Sequence, residues 1–425
     1  MSVSAHKTVL VIGGGAAGQM AAWAAAKQGA RVTVLEKMPQ TGLKMGLTGK
    51  GRCNITNIRP IDEFIAETPG NGKFLYGAYR RFSNQDMLQW LQDNKLETKV
   101  ERGGRVFPES DSAQDVRAFF REQLQKAGVT VKTDHAVTCI QCIEQGFTVK
   151  TKSGSSYIAE AVIIATGGGS YPQTGSDGSG WKLAKQLGHR IVSPHGALVP
   201  LVCDGSMAAS MQGLSLRHVE LTLEVNGKRV QTLRGEMMFT HFGLSGPIVL
   251  SLSACAAEAL QAGQQVRMFL DLKPALSAEQ LTQRIQRDME KHHRKTMRNA
   301  LQNLVPQKMI MPLLTTAAVS PERLAAELTK AEREALVSTC KGWVFPIRAT
   351  RPLREAIVTA GGVCTKEIRA NTMESKLHRG LFFAGEVLDI HANTGGYNLQ
   401  AAFSTGFVAG SEAGRRSNET YCHSN

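Results

Sequence analysis

Three glycines, Gly13, Gly15 and Gly18, follow a short β-rich run, Thr8 to Ile12, and open an alanine-rich stretch, Ala16 to Gln28. The spacing is GxGxxG, and its position after a strand pattern and at the opening of a helix pattern gives it meaning. The first glycine permits a tight turn, the second lets the backbone approach a pyrophosphate, and the third lets helix and strand pack closely. The helix then offers free N–H groups and a positive dipole end to an anion. Arg31 to Leu35 alternates again and ends at Glu36, where a carboxylate can bond ribose hydroxyls. Strand, helix and strand in this order imply a parallel βαβ unit with a right-handed crossover. The expected fold class is α/β, and a dinucleotide is expected at Gly13, Gly15, Ala16, Ala17 and Gly18, with Glu36 on its ribose.

Two later segments favour FAD over NAD. Ala161 to Ala165 reads as a buried strand that ends in Thr166-Gly167-Gly168, small residues suited to crossing the adenosine side of a flavin nucleotide. Leu381-Phe382-Phe383-Ala384-Gly385-Glu386 is a strand ending in glycine and an acid, suited to the ribityl and pyrophosphate portion. The helix expected from Gln400 to Ala413 follows Gly395-Gly396-Tyr397-Asn398, and its N-terminus can stabilise negative charge on a reduced flavin. No second GxGxxG with its acid occurs, so NADH or NADPH is expected only as a transient electron donor.

The remaining pattern suggests a domain split by an insertion. Residues 1–192 hold the first part of the FAD-binding domain, with helices at Gln85 to Asn94 and Ser112 to Ala127 and a strand at Val129 to Lys132. Ala136 to Ile143, Phe147 to Thr151 and Ser156 to Ile158 read as a β-meander. Residues 193–348 are the insertion: β-rich over 193–275, with a hairpin at Asn226-Gly227, and helical over 276–340, with caps at Ser277 and Ser320-Pro321. Residues 349–425 resume the first domain.

A length of 425 residues favours more than one domain. Eight cysteines in such a chain do not make a disulfide scaffold. Cys139 and Cys142 fall on a strand pattern with no second pair at zinc spacing, so no metal site is expected. With no apolar stretch of membrane-spanning length and no signal-peptide pattern, a reduced, cytoplasmic protein is expected. The net charge of +14 is unusual for an enzyme and favours an anionic partner. Lys291, Arg294 and Lys295, with Arg298 a turn later, form a basic run on an expected helix of the insertion.

Three further segments carry a resemblance: Gly49-Lys50-Gly51-Arg52-Cys53-Asn54-Ile55-Thr56-Asn57, Phe239-Thr240-His241-Phe242-Gly243-Leu244-Ser245-Gly246-Pro247, and Gly385-Glu386-Val387-Leu388-Asp389 with Gly395-Gly396-Tyr397-Asn398. Together they resemble the BaiN/RdsA-type flavoproteins over essentially the whole chain. The resemblance implies a Rossmann-like FAD-binding domain, with a doubly wound parallel sheet and a β-meander, plus an inserted β-barrel-like and helical domain. It also implies reduction of a carbon–carbon double bond, in a bile-acid-like enone or in a uridine of ribosomal RNA, and older labels for similar chains include amine oxidase.

The net charge favours the RNA uridine, reached through Lys291, Arg294, Lys295 and Arg298. A non-catalytic flavin-bound RNA-binding protein is the reading from another class. The cofactor contacts expected beyond the glycine turn are Lys37, Lys44, Thr48, Gly49, Arg52, Cys53, Asn54 and Val137. Ala165, Thr166, Gly167, Gly385, Glu386, Gly396, Asn398 and Leu399 complete the set. Candidates for proton transfer or hydrogen bonding to substrate are Cys53, His241, His391 and Tyr397.

Overall fold

The computed structural model describes residues 6–415. They fall into two compact units, one built from the chain up to His195 and again from Ile357, the other from Gly196–Ala356. These boundaries lie a few residues beyond the expected 192/193 and 348/349. The second shift has a clear cause: the strand Trp343–Thr350 belongs to the insertion's sheet and carries it past residue 348.

Five parallel strands carry the first unit. In sheet order they are Leu381–Phe383, Ala161–Ile164, β1 (Thr8–Ile12), β2 (Arg31–Leu35) and Thr130–Lys132. β1 and Ala161–Ile164 are buried along nearly all their length, so both read as apolar runs without alternation. The helix α1 (Ala16–Lys27) joins β1 to β2, and the closing helix Tyr397–Gly414 packs along it. Gly406, Gly410 and Gly414, four residues apart, lie on one face of the closing helix against Ala17, Ala21 and Ala25 of α1. The approach is backbone to backbone, since a Cβ on Gly410 would stand 2.1 Å from the Ala21 carbonyl oxygen.

The closing helix starts at Tyr397, earlier than the expected Gln400. Gly396 turns at φ +99°, and the Asn398 amide clips back onto Ala392, so the turn runs straight into the helix. The meander forms as three antiparallel strands, Val137–Ile143, Gly146–Thr151 and Ser156–Ala159. A small sheet of Thr56–Asn57, Arg105–Pro108 and Thr98–Glu101 has no counterpart among the expected elements.

The second unit is a closed six-stranded barrel with a helical extension. Around the barrel run Leu201–Cys203, Gly243–Ser245, Lys228–Thr240, Ser215–Val225, Val266–Asp271 and Trp343–Thr350. All its pairings are antiparallel. Asn226 and Gly227 both take positive φ, as a two-residue hairpin turn requires. Phe239, Trp343 and Phe345 fill the interior.

Ser277 caps the helix Ala278–Lys291 in a reciprocal box with Gln280. Ser320-Pro321 caps nothing: the residues after it form turns, and the next helix, Lys330–Gly342, is capped by Thr329. The Ser-Pro pair fits a turn as well as a helix start, and here it closes a turn on Arg323. The basic run is also displaced from the expected helix face. Lys291 is the last helical residue, and His292 to Lys295 form the turn beyond it.

Candidate functional site

Four loops leave the carboxyl ends of adjacent parallel strands in the first unit. They begin at Gly13, Glu36, Ala165 and Ala384, after β1, β2, Ala161–Ile164 and Leu381–Phe383. In an open α/β sheet this is the edge where ligands bind. The four loops touch: a Cβ on Gly13 would stand 2.6 Å from the Ala165 carbonyl oxygen, the Gly14 N–H reaches the Glu36 carboxylate, and a Cβ on Gly168 would stand 3.0 Å from the Glu386 carboxylate.

The three fingerprint glycines meet different surroundings. A Cβ on Gly18 would stand 1.8 Å from the Gly13 carbonyl oxygen, so this glycine is required by helix-to-turn packing. Gly15 has φ −74° and ψ −169°, open to any residue, and nothing lies within 4 Å of where its Cβ would be. Neither backbone strain nor crowding in the protein asks for glycine there. The space fits a phosphate brought against the backbone, at the uncapped N-terminus of α1.

Glu36 is buried beside this turn. Its carboxylate accepts from the Gly14 N–H at 2.6 Å and the Met38 N–H at 2.8 Å. Burial pushes its pKa up, and those two backbone bonds oppose the shift. Each carboxylate oxygen keeps a lone pair for a ribose hydroxyl. The Glu36 carbonyl accepts from the His135 N–H, which brings the start of the meander, at Val137, alongside. Lys37 is ion-paired to Asp177 at 2.5 Å.

A second polar knot holds the Gly385 loop. The Lys44 ammonium contacts Glu386 at 2.5 Å and donates to the Ser170 hydroxyl at 2.7 Å. Glu386 also accepts from Ser170 at 3.0 Å and from the Thr359 N–H at 2.8 Å. Ser170 and Thr359 were not among the sequence candidates. Ser170 could have been suspected, since it follows the Thr166 to Gly169 turn directly. Thr166 and Ser176, on either side of Gly167, have buried hydroxyls without a hydrogen-bond partner.

The Gly49 to Asn57 segment is tightly wound, with positive φ at Gly49, Lys50, Gly51 and Cys53. Thr48 accepts the Cys53 N–H on its carbonyl at 3.0 Å. The Arg52 guanidinium is engaged by Glu101 at 2.6 Å and Asp111 at 3.3 Å, over the Phe107 ring. Asn54, with its amide turned to satisfy both ends, accepts from the Gly396 N–H at 3.0 Å and ties this segment to the start of the closing helix. Leu399, in the first turn of that helix, is half-buried against the cluster containing Cys53 and Met45.

The four candidates for proton chemistry stand in different settings. Cys53 is fully buried, and desolvation pushes its thiol up to about 12, so it is no thiolate at neutral pH. Tyr397 is buried edge-on against Phe64 with its pKa raised by desolvation. His391 is buried against Gly70 with neither ring nitrogen hydrogen-bonded, and burial lowers its pKa to about 4. His241 is exposed in the second unit, edge-on to Phe242. Among the described residues no group of three or more His, Cys, Asp or Glu could hold a metal ion, and no helix is long and apolar enough to cross a membrane.

Comparison with known proteins agrees with this geometry. Residues 7–412 match the family described as HI0933-like protein Rossmann domain. The chain is 34% identical over 410 residues to a 3-dehydro-bile acid delta(4,6)-reductase of Clostridium scindens, covering 96% of this chain and 98% of that one. It is 30% identical over 399 residues to the ribosomal RNA dihydrouridine synthase of Escherichia coli, covering 94% and 96%. Among solved structures, a flavocytochrome c3 fumarate reductase superposes with a TM-score of 0.51 at 17% identity, over 97% of this chain and 79% of that one. A 3-ketosteroid delta1-dehydrogenase from Sterolibacterium denitrificans gives 0.51 at 14% identity, over 96% and 99%. These structural likenesses establish a shared fold.

Proposed function

This chain belongs to the HI0933-like Rossmann-domain family, and we propose that it is an FAD-dependent oxidoreductase that saturates a carbon–carbon double bond in a uridine of ribosomal RNA, with NADH or NADPH as a transient electron donor. The observation that carries the choice of substrate is the charge of +14, since phosphate neutralisation supplies much of any RNA affinity. A relative bearing the name ribosomal RNA dihydrouridine synthase supports it. A bile-acid-like enone is the second reading, favoured by the 34% identity to the clostridial reductase.

Bound FAD would supply the hydride; the chain's own residues do the rest. The Gly15 backbone and the first turn of α1 would hold the pyrophosphate, and Glu36 would accept from the adenosine ribose. Lys44 and Ser170 fix Glu386, which would meet the ribityl portion. The start of the closing helix, at Gly396, has no side-chain cap, and its positive dipole end would favour negative charge on a reduced flavin. His391, with both ring nitrogens unpartnered, would be open to a hydrogen bond from a bound group. Protonation of the neighbouring carbon would fall to Tyr397, at the first residue of the closing helix.

Two measurements test this reading. The purified protein should carry flavin and be bleached anaerobically by NADH or NADPH. Deleting the gene should remove dihydrouridine from ribosomal RNA, detected by mass spectrometry of nucleosides. Unchanged RNA with turnover of a steroid enone would replace the first reading with the second.

A further inference from the structure

We propose that the turn Lys291 to Arg298 in the inserted unit is a docking surface for the phosphate backbone of RNA; this rests on the RNA reading above and names the surface it would use. Lys291, Arg294, Lys295 and Arg298 are all exposed, and none pairs with a carboxylate among the described residues. Several other cations of the same unit are paired. Arg234 pairs with Glu220, Arg267 with Glu224, Arg323 with Glu332 and Lys341 with Asp271. The local sequence explains the difference: from Lys291 to Pro321 the chain contains no Asp or Glu. A merely solvated surface usually mixes both signs.

The turn is also rigid. Met297 donates to the Arg323 carbonyl at 2.8 Å, Ala325 to that of Lys295 at 2.9 Å, Arg298 to that of Pro321 at 3.1 Å and Ala326 to that of His293 at 3.3 Å. These backbone bonds lace the cation-bearing turn to the segment 321–326. The charges therefore stand on a fixed frame, so less backbone ordering is lost when an anion binds. Asn299, Gln302 and Asn303 are exposed on the following short helices and offer amide donors to phosphate oxygens and 2′-hydroxyls. Lys291 ends the helix Ala278–Lys291, where the negative dipole end favours a cation in the free protein too. The helix dipole accounts for Lys291 alone, not for the three cations beyond it.

The test uses the full-length flavin-loaded protein and protein-free ribosomal RNA transcribed in vitro. Affinity is measured by filter binding across a series of KCl concentrations. The variant Lys291→Gln/Arg294→Gln/Lys295→Gln/Arg298→Gln is expected to bind at least about tenfold more weakly near 100 mM salt. Its log–log salt slope should be shallower by about 3, since each phosphate contact contributes roughly 0.7 to 0.9. A charge-preserving variant, Lys291→Arg/Arg294→Lys/Lys295→Arg/Arg298→Lys, should keep both affinity and slope, and the melting temperature of each variant reports its folding. A neutralised variant that melts as the parent does and keeps its slope would overturn the assignment while leaving the RNA reading standing. Parent protein that binds anionic vesicles but not the transcript would overturn both.

Discussion

Two helix starts in this molecule are built in opposite ways. In the inserted unit, the helix Ala278–Lys291 closes its own N-terminus: Ser277 accepts from the Gln280 N–H, and the Gln280 side chain returns the bond. In the FAD-binding unit, α1 begins at Gly15 and the closing helix at Gly396, neither with a side-chain cap. Both kinds of sequence can start a helix, but only the second leaves N–H groups for something else. The same contrast extends to other polar groups. The FAD-binding unit buries unpartnered groups on Gln19, Thr166, Ser176 and His391, whereas the insertion meets most of its own needs. Unmet hydrogen-bonding capacity at Thr166, Ser176 and His391 is open to a ligand.

The largest expected effect sharpens the difference between the glycines themselves. Gly18→Ala places a Cβ against the Gly13 carbonyl and should destabilise the protein by about 3 kcal/mol or more, with or without flavin. Urea unfolding of the flavin-free protein measures it. Stability equal to that of the parent would show that the turn relaxes and that close packing is not the reason for glycine.

Next comes the buried imidazole. Burial lowers the folded-state pKa of His391 to about 4 from an ordinary value of 6.5, with His195 lowering it further and Glu386 opposing. The folded protein thus binds fewer protons than the unfolded one between these values. Its contribution to stability is complete above pH 6.5 and is lost as pH falls toward 4, about 3 kcal/mol over that window. His391→Phe removes the two unpartnered nitrogens while keeping the ring, so its urea midpoint should fall less than the parent's between pH 6.5 and 4. Parallel profiles would mean that the imidazole finds a partner in solution.

The sequence made the FAD-binding unit legible for a physical reason. β1, α1 and β2 form a local unit whose apolar runs and glycine spacing lie within about thirty residues, and the fingerprint acts through the backbone. Helices capped by their own neighbours, such as Ser112 with Asp115, were readable too. The polar knot was readable in its parts but not as a contact, because Lys44 and Glu386 are 342 residues apart. The barrel was harder. Leu201–Cys203 and Gly243–Ser245 are three-residue strands with no periodicity to read, and only closure against non-local partners makes them strands. The long helix Pro247–Gln261 went unnoticed because it is apolar on most faces, as a helix packed beneath a barrel must be. Ser320-Pro321 misled because the same two residues favour a turn and a helix start.

Giving α1 the kind of cap that the insertion uses tests the comparison directly. Gly15→Ser fits the backbone, since its φ and ψ are those of an ordinary N-cap residue and no atom lies in the way. The flavin-free protein should melt at or slightly above the parent's temperature, while FAD binds about 100-fold more weakly, roughly 2.7 kcal/mol. Fluorescence titration of the flavin-free protein reads the second quantity. Unchanged FAD affinity would mean that the empty space beside Gly15 is not where the cofactor's phosphates lie.

The smallest effect is the converse. Ser277→Ala removes one half of the capping box, so the Gln280 N–H loses its acceptor at a site with no ligand to replace it. The expected cost is about 1 kcal/mol of stability. FAD affinity should be unaffected, because the cap and the expected cofactor contacts belong to different compact units. The two serine variants therefore make a matched pair: adding a cap to α1 should change binding and spare stability, and removing one from the insertion should do the reverse. If Ser277→Ala also weakened FAD, the helix starts would not be independent, and the separation of a ligand-ready unit from a self-satisfied one would fail at its simplest point.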